Sequence, residues 1–163
     1  LEFRRVLFRS TFRKVIKMIK ELYLVETVNY AYFDEKDMED VEDRYIIGYF
    51  DNPEIMKRAI EMCNKKKEPD EEVKITKYSF SCSSNQKYVY VLFYEYSTLT
   101  DGEYTDYYYY FEPCSNVSKC LKQKTELQKN EKYMHNENKI YDNSKDGFRI
   151  AKVWINFIDH IIY

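Results

Sequence analysis

Seven carboxylates crowd ten residues in the run Asp34-Glu-Lys-Asp-Met-Glu-Asp-Val-Glu-Asp43: Asp34, Glu35, Asp37, Glu39, Asp40, Glu42 and Asp43. Acids this dense could chelate a hard cation, supply a general acid and base, or face a basic surface. A calcium loop of the helix-loop-helix type needs a central glycine and a closing glutamate at fixed spacing, and both are missing. Hydrolysis by paired carboxylates needs two acids singled out by position, and no spacing does so here. Charge steering toward a basic protein partner therefore remains as the functional reading, because a concentrated field raises encounter rates without requiring a defined geometry. The plainer reading of the same run is a solvated hairpin loop.

The other reactive side chains point less clearly. Cys63, Cys82, Cys114 and Cys120 form no C-x-x-C pair and have no histidine at finger spacing, so a zinc site is not expected. The two histidines, His135 and His160, could meet a cysteine only through space. Gly48, Gly102 and Gly147 are isolated, which removes phosphate-cradling loops. No cofactor and no metal is expected. The 18 tyrosines, with the run Tyr107-Tyr-Tyr-Tyr110, could stack single-stranded bases on an open sheet. A chain rich in Lys, Asn, Tyr and Ile but holding three Gly and three Pro also has the composition of an AT-rich genome. Tyrosine then simply fills half-buried strand positions, and an acidic net charge opposes phosphate binding.

Residues 1–10, Leu-Glu-Phe-Arg-Arg-Val-Leu-Phe-Arg-Ser, resemble the translation of a short-read sequencing adapter and are set aside from fold reasoning. They hold three of the 26 basic and one of the 28 acidic residues, so the remainder has 23 against 27 and a formal charge of −4. Residues 11–21 read either as a leader ahead of a native start at Met18 or as a short amphipathic helix with Phe12, Val15, Ile16, Ile19 and Leu22 on one face. With 44% hydrophobic and 33% charged residues the composition is that of a globular protein, and no apolar run is long enough for a membrane span. Nothing after the adapter has the pattern of a secretory signal, so the cytoplasm is the expected location.

Two segments follow the same plan in the same order. The first unit, residues 22–80, opens with Leu22-Tyr-Leu-Val25 and passes through the acidic segment to Tyr45-Ile-Ile-Gly-Tyr-Phe50. A helix over 52–63 and the strand Val73-Lys-Ile-Thr-Lys-Tyr78 complete it. Residues 81–87 form a Ser-rich joint. The second unit, 88–163, repeats the pattern with Val89-Tyr-Val-Leu92, an acidic turn over 99–106, Tyr107 to Phe111, a helix over 116–127 and Phe148-Arg-Ile-Ala-Lys-Val153. Asn52 should cap the first helix with Pro53 behind it, burying Ile55, Ala59, Ile60 and Cys63. Ser115 should cap the second helix, burying Val117, Cys120 and Leu121. The expected fold class is α+β: a duplicated β-β-α-β unit whose last two strands run parallel, forming one mixed sheet with both helices on one face.

The strand Val89-Tyr-Val-Leu-Phe-Tyr-Glu-Tyr96, the acidic loop, and the strand and helix Ile46-Ile-Gly-Tyr-Phe-Asp-Asn-Pro-Glu-Ile-Met-Lys-Arg-Ala-Ile60 together resemble a family of uncharacterised small bacterial proteins, a domain of unknown function built from β-β-α-β units. The resemblance covers residues 22–155 and implies a bacterial source and the fold alone. Gly48 has no counterpart in the second unit.

The segment 128–146 replaces a shorter link in the first unit and carries Tyr133, His135 and Tyr141, candidates for partner contact. The tail from Trp154 onward is apolar and is expected to pack on the sheet or to form a homodimer contact. The leading function is a non-catalytic protein-binding module whose partner has a basic surface. The alternative is a small enzyme using carboxylate or Cys/His chemistry, and the third reading is a single-stranded nucleic-acid binder.

Overall fold

The computed structural model describes residues 17–31, 41–83, 85–100, 102–130, 133 and 147–158. Strand β1 (Lys17–Ala31) pairs with β2 (Val41–Phe50) on one side and with β3 (Glu71–Ser83) on the other, all antiparallel, and helix α1 (Pro53–Lys66) connects β2 to β3. Strand β4 (Tyr88–Thr100) is likewise flanked by β5 (Glu103–Tyr110) and β6 (Phe148–Trp154), and α2 (Val117–Leu127) lies between β5 and β6 in sequence. Both units thus share one strand order, with the first strand central. The second and third strands of each run parallel, as expected, but the first strand stands between them.

The six strands form two three-stranded antiparallel sheets, in place of the single mixed sheet expected from the sequence. Strand faces explain the difference. Leu22 and Leu24 of β1, Tyr49 of β2 and Phe80 and Cys82 of β3 share one buried cluster with Val89 and Val91 of β4. The alternate residues face the helices: Val25, Ile47 and Phe50 pack on Ala59 and Cys63 of α1, while Leu92, Tyr94 and Phe148 pack with Leu127 of α2. Both faces of each central strand are apolar, so each sheet needs a cover on both sides. One sheet covers the other within, and the helices lie on the two outer faces instead of sharing one. A lone parallel bridge, Tyr49 with Ile155, joins the sheets along an edge.

Local chemistry sets the ends of the elements. Asn52 accepts from the backbone N–H groups of Glu54 (2.9 Å) and Ile55 (3.2 Å), with Pro53 opening α1 and Lys65 and Lys66 in its last turn, where they complement the helix dipole. The cap of α2 is Asn116, not Ser115: its Oδ1 accepts from Lys119 N–H at 2.9 Å. Ser and Asn are both good caps, and neighbouring candidates are separated only by where the strand before them ends. Ile19 and Leu22 lie on extended chain paired with β3 in place of the alternative of a short helix, whose Phe12, Val15 and Ile16 fall outside the described residues. Strand β3 runs to Ser83, which shortens the joint. In the second unit Thr100 of β4 pairs with Glu103 of β5.

A bulge in β2 sets which residues reach the shared core. Val25 pairs with Gly48 and Glu26 with Ile46, leaving Ile47 as the extra residue. Tyr49 and Ile46, three apart, therefore both turn inward while Ile47 packs under α1. Gly48 answers a close approach, because a Cβ there would lie 2.6 Å from the carbonyl oxygen of Phe157.

The C-terminal segment is what ties the second unit back to the first. Asn156, at φ 61°, donates its N–H to Tyr49 O (2.8 Å). Its Oδ1 accepts from Asp51 and Asn52 N–H, both at 3.1 Å, and its Nδ2 donates to Asp51 Oδ1 at 2.6 Å. Ile155 enters the shared core and Ile158 packs against the α1 cluster. The apolar tail is used inside the chain at these two positions, while Trp154 and Phe157 are 51% and 57% exposed.

Candidate functional site

The ladder of the first sheet gathers acids at one end. Asn29 pairs with Asp43 on one side and with Glu71 on the other, and the next residue of β1, Tyr30, pairs with Glu42. The rung Asp43, Asn29, Glu71 therefore places the end of the acidic segment beside the turn from α1 into β3, which carries Glu68, Asp70, Glu71 and Glu72. Glu68, Asp70 and Glu72 are exposed. Glu71 is buried, its Oε2 accepting from Glu68 N–H at 3.1 Å and its carbonyl accepting from Lys67 Nζ at 3.3 Å. Over 34–44 and 65–74 the sequence holds eleven carboxylates against six basic residues. Among the sequence candidates, Glu42 and Asp43 lie on β2, while Asp34, Glu35, Asp37, Glu39 and Asp40 fall outside the described residues. Sequence reasoning missed the acids of the α1–β3 turn, because Glu68 to Glu72 lie some thirty residues beyond the acidic run and only strand pairing joins them.

A second polar cluster lies between the sheets. Glu26 is 1% exposed, at the inward position that follows Leu22 and Leu24, and accepts a hydrogen bond from Tyr110 Oη of β5. Arg44 Nη1 stands 4.0 Å from its other oxygen. Burial, and then the hydrogen bond to Glu26, push the Tyr110 hydroxyl far above the ordinary tyrosine range. Burial does the same to Tyr49, whose hydroxyl has no hydrogen-bond partner among the described residues. A buried carboxylate is costly without charge-assisted partners; Tyr110 satisfies Glu26 across the interface and so helps hold the sheets in one alignment, while Arg44 supplies the counter-charge from β2 of the same sheet. The signal for it was legible: a lone acid among the apolar inward positions of Leu22-Tyr-Leu-Val-Glu-Thr-Val28.

Tyr133 is half-buried and packs against the core of the second sheet's outer face. Its ring meets Tyr94 and Phe111 edge-on at 5.4 Å and Tyr109 at 6.0 Å, wedging the start of the long segment into the outer face of the second sheet. His135 and Tyr141 lie outside the described residues. Tyr94, Tyr96 and Tyr109 pack on one another there. Further along the same face Lys152 Nζ sits 3.9 Å from the Tyr88 ring centre, with Trp154 edge-on to Tyr88 at 5.8 Å. On α2 only Cys120 is buried as expected, while Val117 and Leu121 are 41% and 50% exposed.

All four cysteines are free and buried. Burial raises the thiols of Cys63, Cys114 and Cys120, the last to about 12. Among the described residues no group of three or more His, Cys, Asp or Glu could hold a metal, and no helix is long and apolar enough to cross a membrane. Comparison of the chain with protein-family models, with curated proteins and with solved structures returns no match.

Proposed function

We propose that the chain is a non-catalytic protein-binding module of the bacterial cytoplasm, descended from a duplicated β-β-α-β unit, that offers the acidic end of its first sheet to a partner with a basic surface. The supporting observation is the rung Asp43, Asn29, Glu71, which adds the exposed acids of the α1–β3 turn to the acidic run. Clustered charge of one sign steers association and makes it sensitive to salt. Four free cysteines support a reducing compartment. A homodimer contact through the tail would rest on Trp154 and Phe157, and sedimentation over a concentration series reads it directly.

The test uses a fluorescent oligolysine peptide as the basic probe. Neutralising Asp43, Glu68, Asp70 and Glu72 to their amides should weaken binding roughly tenfold at low salt, at about 0.3–0.5 kcal/mol for each charge. It should also flatten the salt dependence. Neutralising the exposed Glu54, Glu61, Glu112 and Glu126 is the control. Equal loss in both sets means that only net charge matters, and the acidic end is then no binding surface.

A further inference from the structure

At one end of the second sheet, Tyr88 pairs with Trp154 and Tyr90 with Lys152, two successive same-face rungs between β4 and β6. All four side chains therefore lie on the face that carries Leu92, Tyr94 and Phe148 under α2. The cover thins at this end: Lys152 and Trp154 are exposed, and Tyr88 and Tyr90 are half-buried. The Tyr88 ring stands nearly perpendicular to Tyr90 (84°, ring centres 5.6 Å apart) and to Trp154 (80°, 5.8 Å), so the rings make the walls of a corner in place of a flat stack. Lys152 Nζ is 3.9 Å from the Tyr88 ring centre and 5.2 Å from that of Trp154. Among the described residues this ammonium makes no ion pair. We propose that the corner binds a small zwitterion that joins a quaternary ammonium to a carboxylate, the quaternary group replacing the Lys152 ammonium against Tyr88 and Trp154 and the carboxylate pairing with Lys152.

The resident ammonium marks what the corner attracts. Ring faces draw cations lying within about 6 Å of their centres, and Lys152 meets that limit at two rings at once. A quaternary ammonium suits the same place better than a lysine, because it has no N–H groups to leave without hydrogen bonds when set against a ring. A simple cation would have to displace Lys152 and then lie beside a like charge. A carboxylate on the same molecule removes that conflict, since the flexible four-carbon stem lets Nζ leave the ring and meet the carboxylate. Lys152 thus fills the empty corner and selects a zwitterion over a cation when the corner is occupied.

Trp154 is the sole tryptophan of the chain, so the single indole N–H signal in a nitrogen–proton correlation spectrum reports on the corner directly. The full chain is titrated with glycine betaine, with choline as the cation lacking a carboxylate, and with sodium chloride at equal ionic strength. Both ligands should move the indole signal saturably beyond the salt control, with betaine binding roughly two- to fivefold more tightly than choline. Lys152→Gln, a change at an exposed position, should abolish that preference. Tyr88→Leu, which keeps apolar bulk but removes the ring face, should weaken both ligands roughly fivefold. The proposal is overturned if neither ligand exceeds the salt control, if choline binds wild type as tightly as betaine, or if Tyr88→Leu binds unchanged. An indole signal that moves with protein concentration alone would assign the patch to a second copy of the chain and overturn it equally.

Discussion

Asn156 is one of the residues through which the second unit grips the first, and its contribution can be worked out from its contacts. Its side chain makes three hydrogen bonds to Asp51 and Asn52, of which those to Asp51 N–H and to Asp51 Oδ1 are partly buried and that to Asn52 N–H is exposed. At about 1 kcal/mol for each partly buried bond and less for the exposed one, Asn156→Gly should cost roughly 2–3 kcal/mol. Glycine keeps the left-handed φ of 61° accessible. Asn156→Ala loses the same bonds and adds about 1 kcal/mol for a Cβ in that region. Urea unfolding reads both variants. The midpoint should fall in the order wild type, glycine, alanine with an unchanged slope, since the surface exposed on unfolding stays the same. If the glycine variant lies within about 0.5 kcal/mol of wild type, the side-chain clasp contributes nothing that water does not replace. If alanine is no worse than glycine, the backbone argument is wrong.

Tyr110→Phe removes the hydroxyl that satisfies buried Glu26 and should cost about 1.5–3 kcal/mol by urea unfolding, a loss under 0.5 kcal/mol counting against the cross-sheet role. Tyr49→Phe should be neutral or stabilising by up to about 1 kcal/mol near neutral pH, because it deletes a buried hydroxyl without a partner among the described residues, and clear destabilisation would contradict that. Burial raises the hydroxyls of Tyr49 and Tyr110 above the ordinary value of 10.0, so their contribution is complete below that pH and is lost as pH rises beyond it. Unfolding midpoints measured across this alkaline window should therefore drop, and less so in Tyr49→Phe; identical pH curves for the two proteins would refute the assignment. Tyr133→Ala should cost about 2 kcal/mol by emptying a half-buried aromatic site, read by urea unfolding, and an unchanged midpoint would show that the ring is not an anchor.

Much of the fold was readable because its signals are local. The Asn52-Pro53 start of α1, its face of Ile55, Ala59, Ile60 and Cys63, and the alternation of β1 and β4 each depend on neighbours within one turn or one strand. The second helix was harder. Its apolar residues Val117 and Leu121 stay largely exposed, because the helix turns Cys120 inward and periodicity alone does not choose between adjacent faces. At the acidic end, the run ending at Asp43 was visible in sequence, but its neighbours in the α1–β3 turn were not. A ladder partner is set by register, and register has no short-range signature.

The sequence by itself determined the order of elements, the acidic run and the shared β-β-α-β plan, since these depend on residue type and spacing. Only the tertiary structure decided that two sheets form instead of one, that Glu26 meets Tyr110, and that Asn156 clasps the turn before α1. Both faces of β1 and β4 are apolar, and alternation says only that each must be covered. What covers them is settled when the whole chain finds the arrangement that buries both faces and leaves the fewest polar groups unpaired.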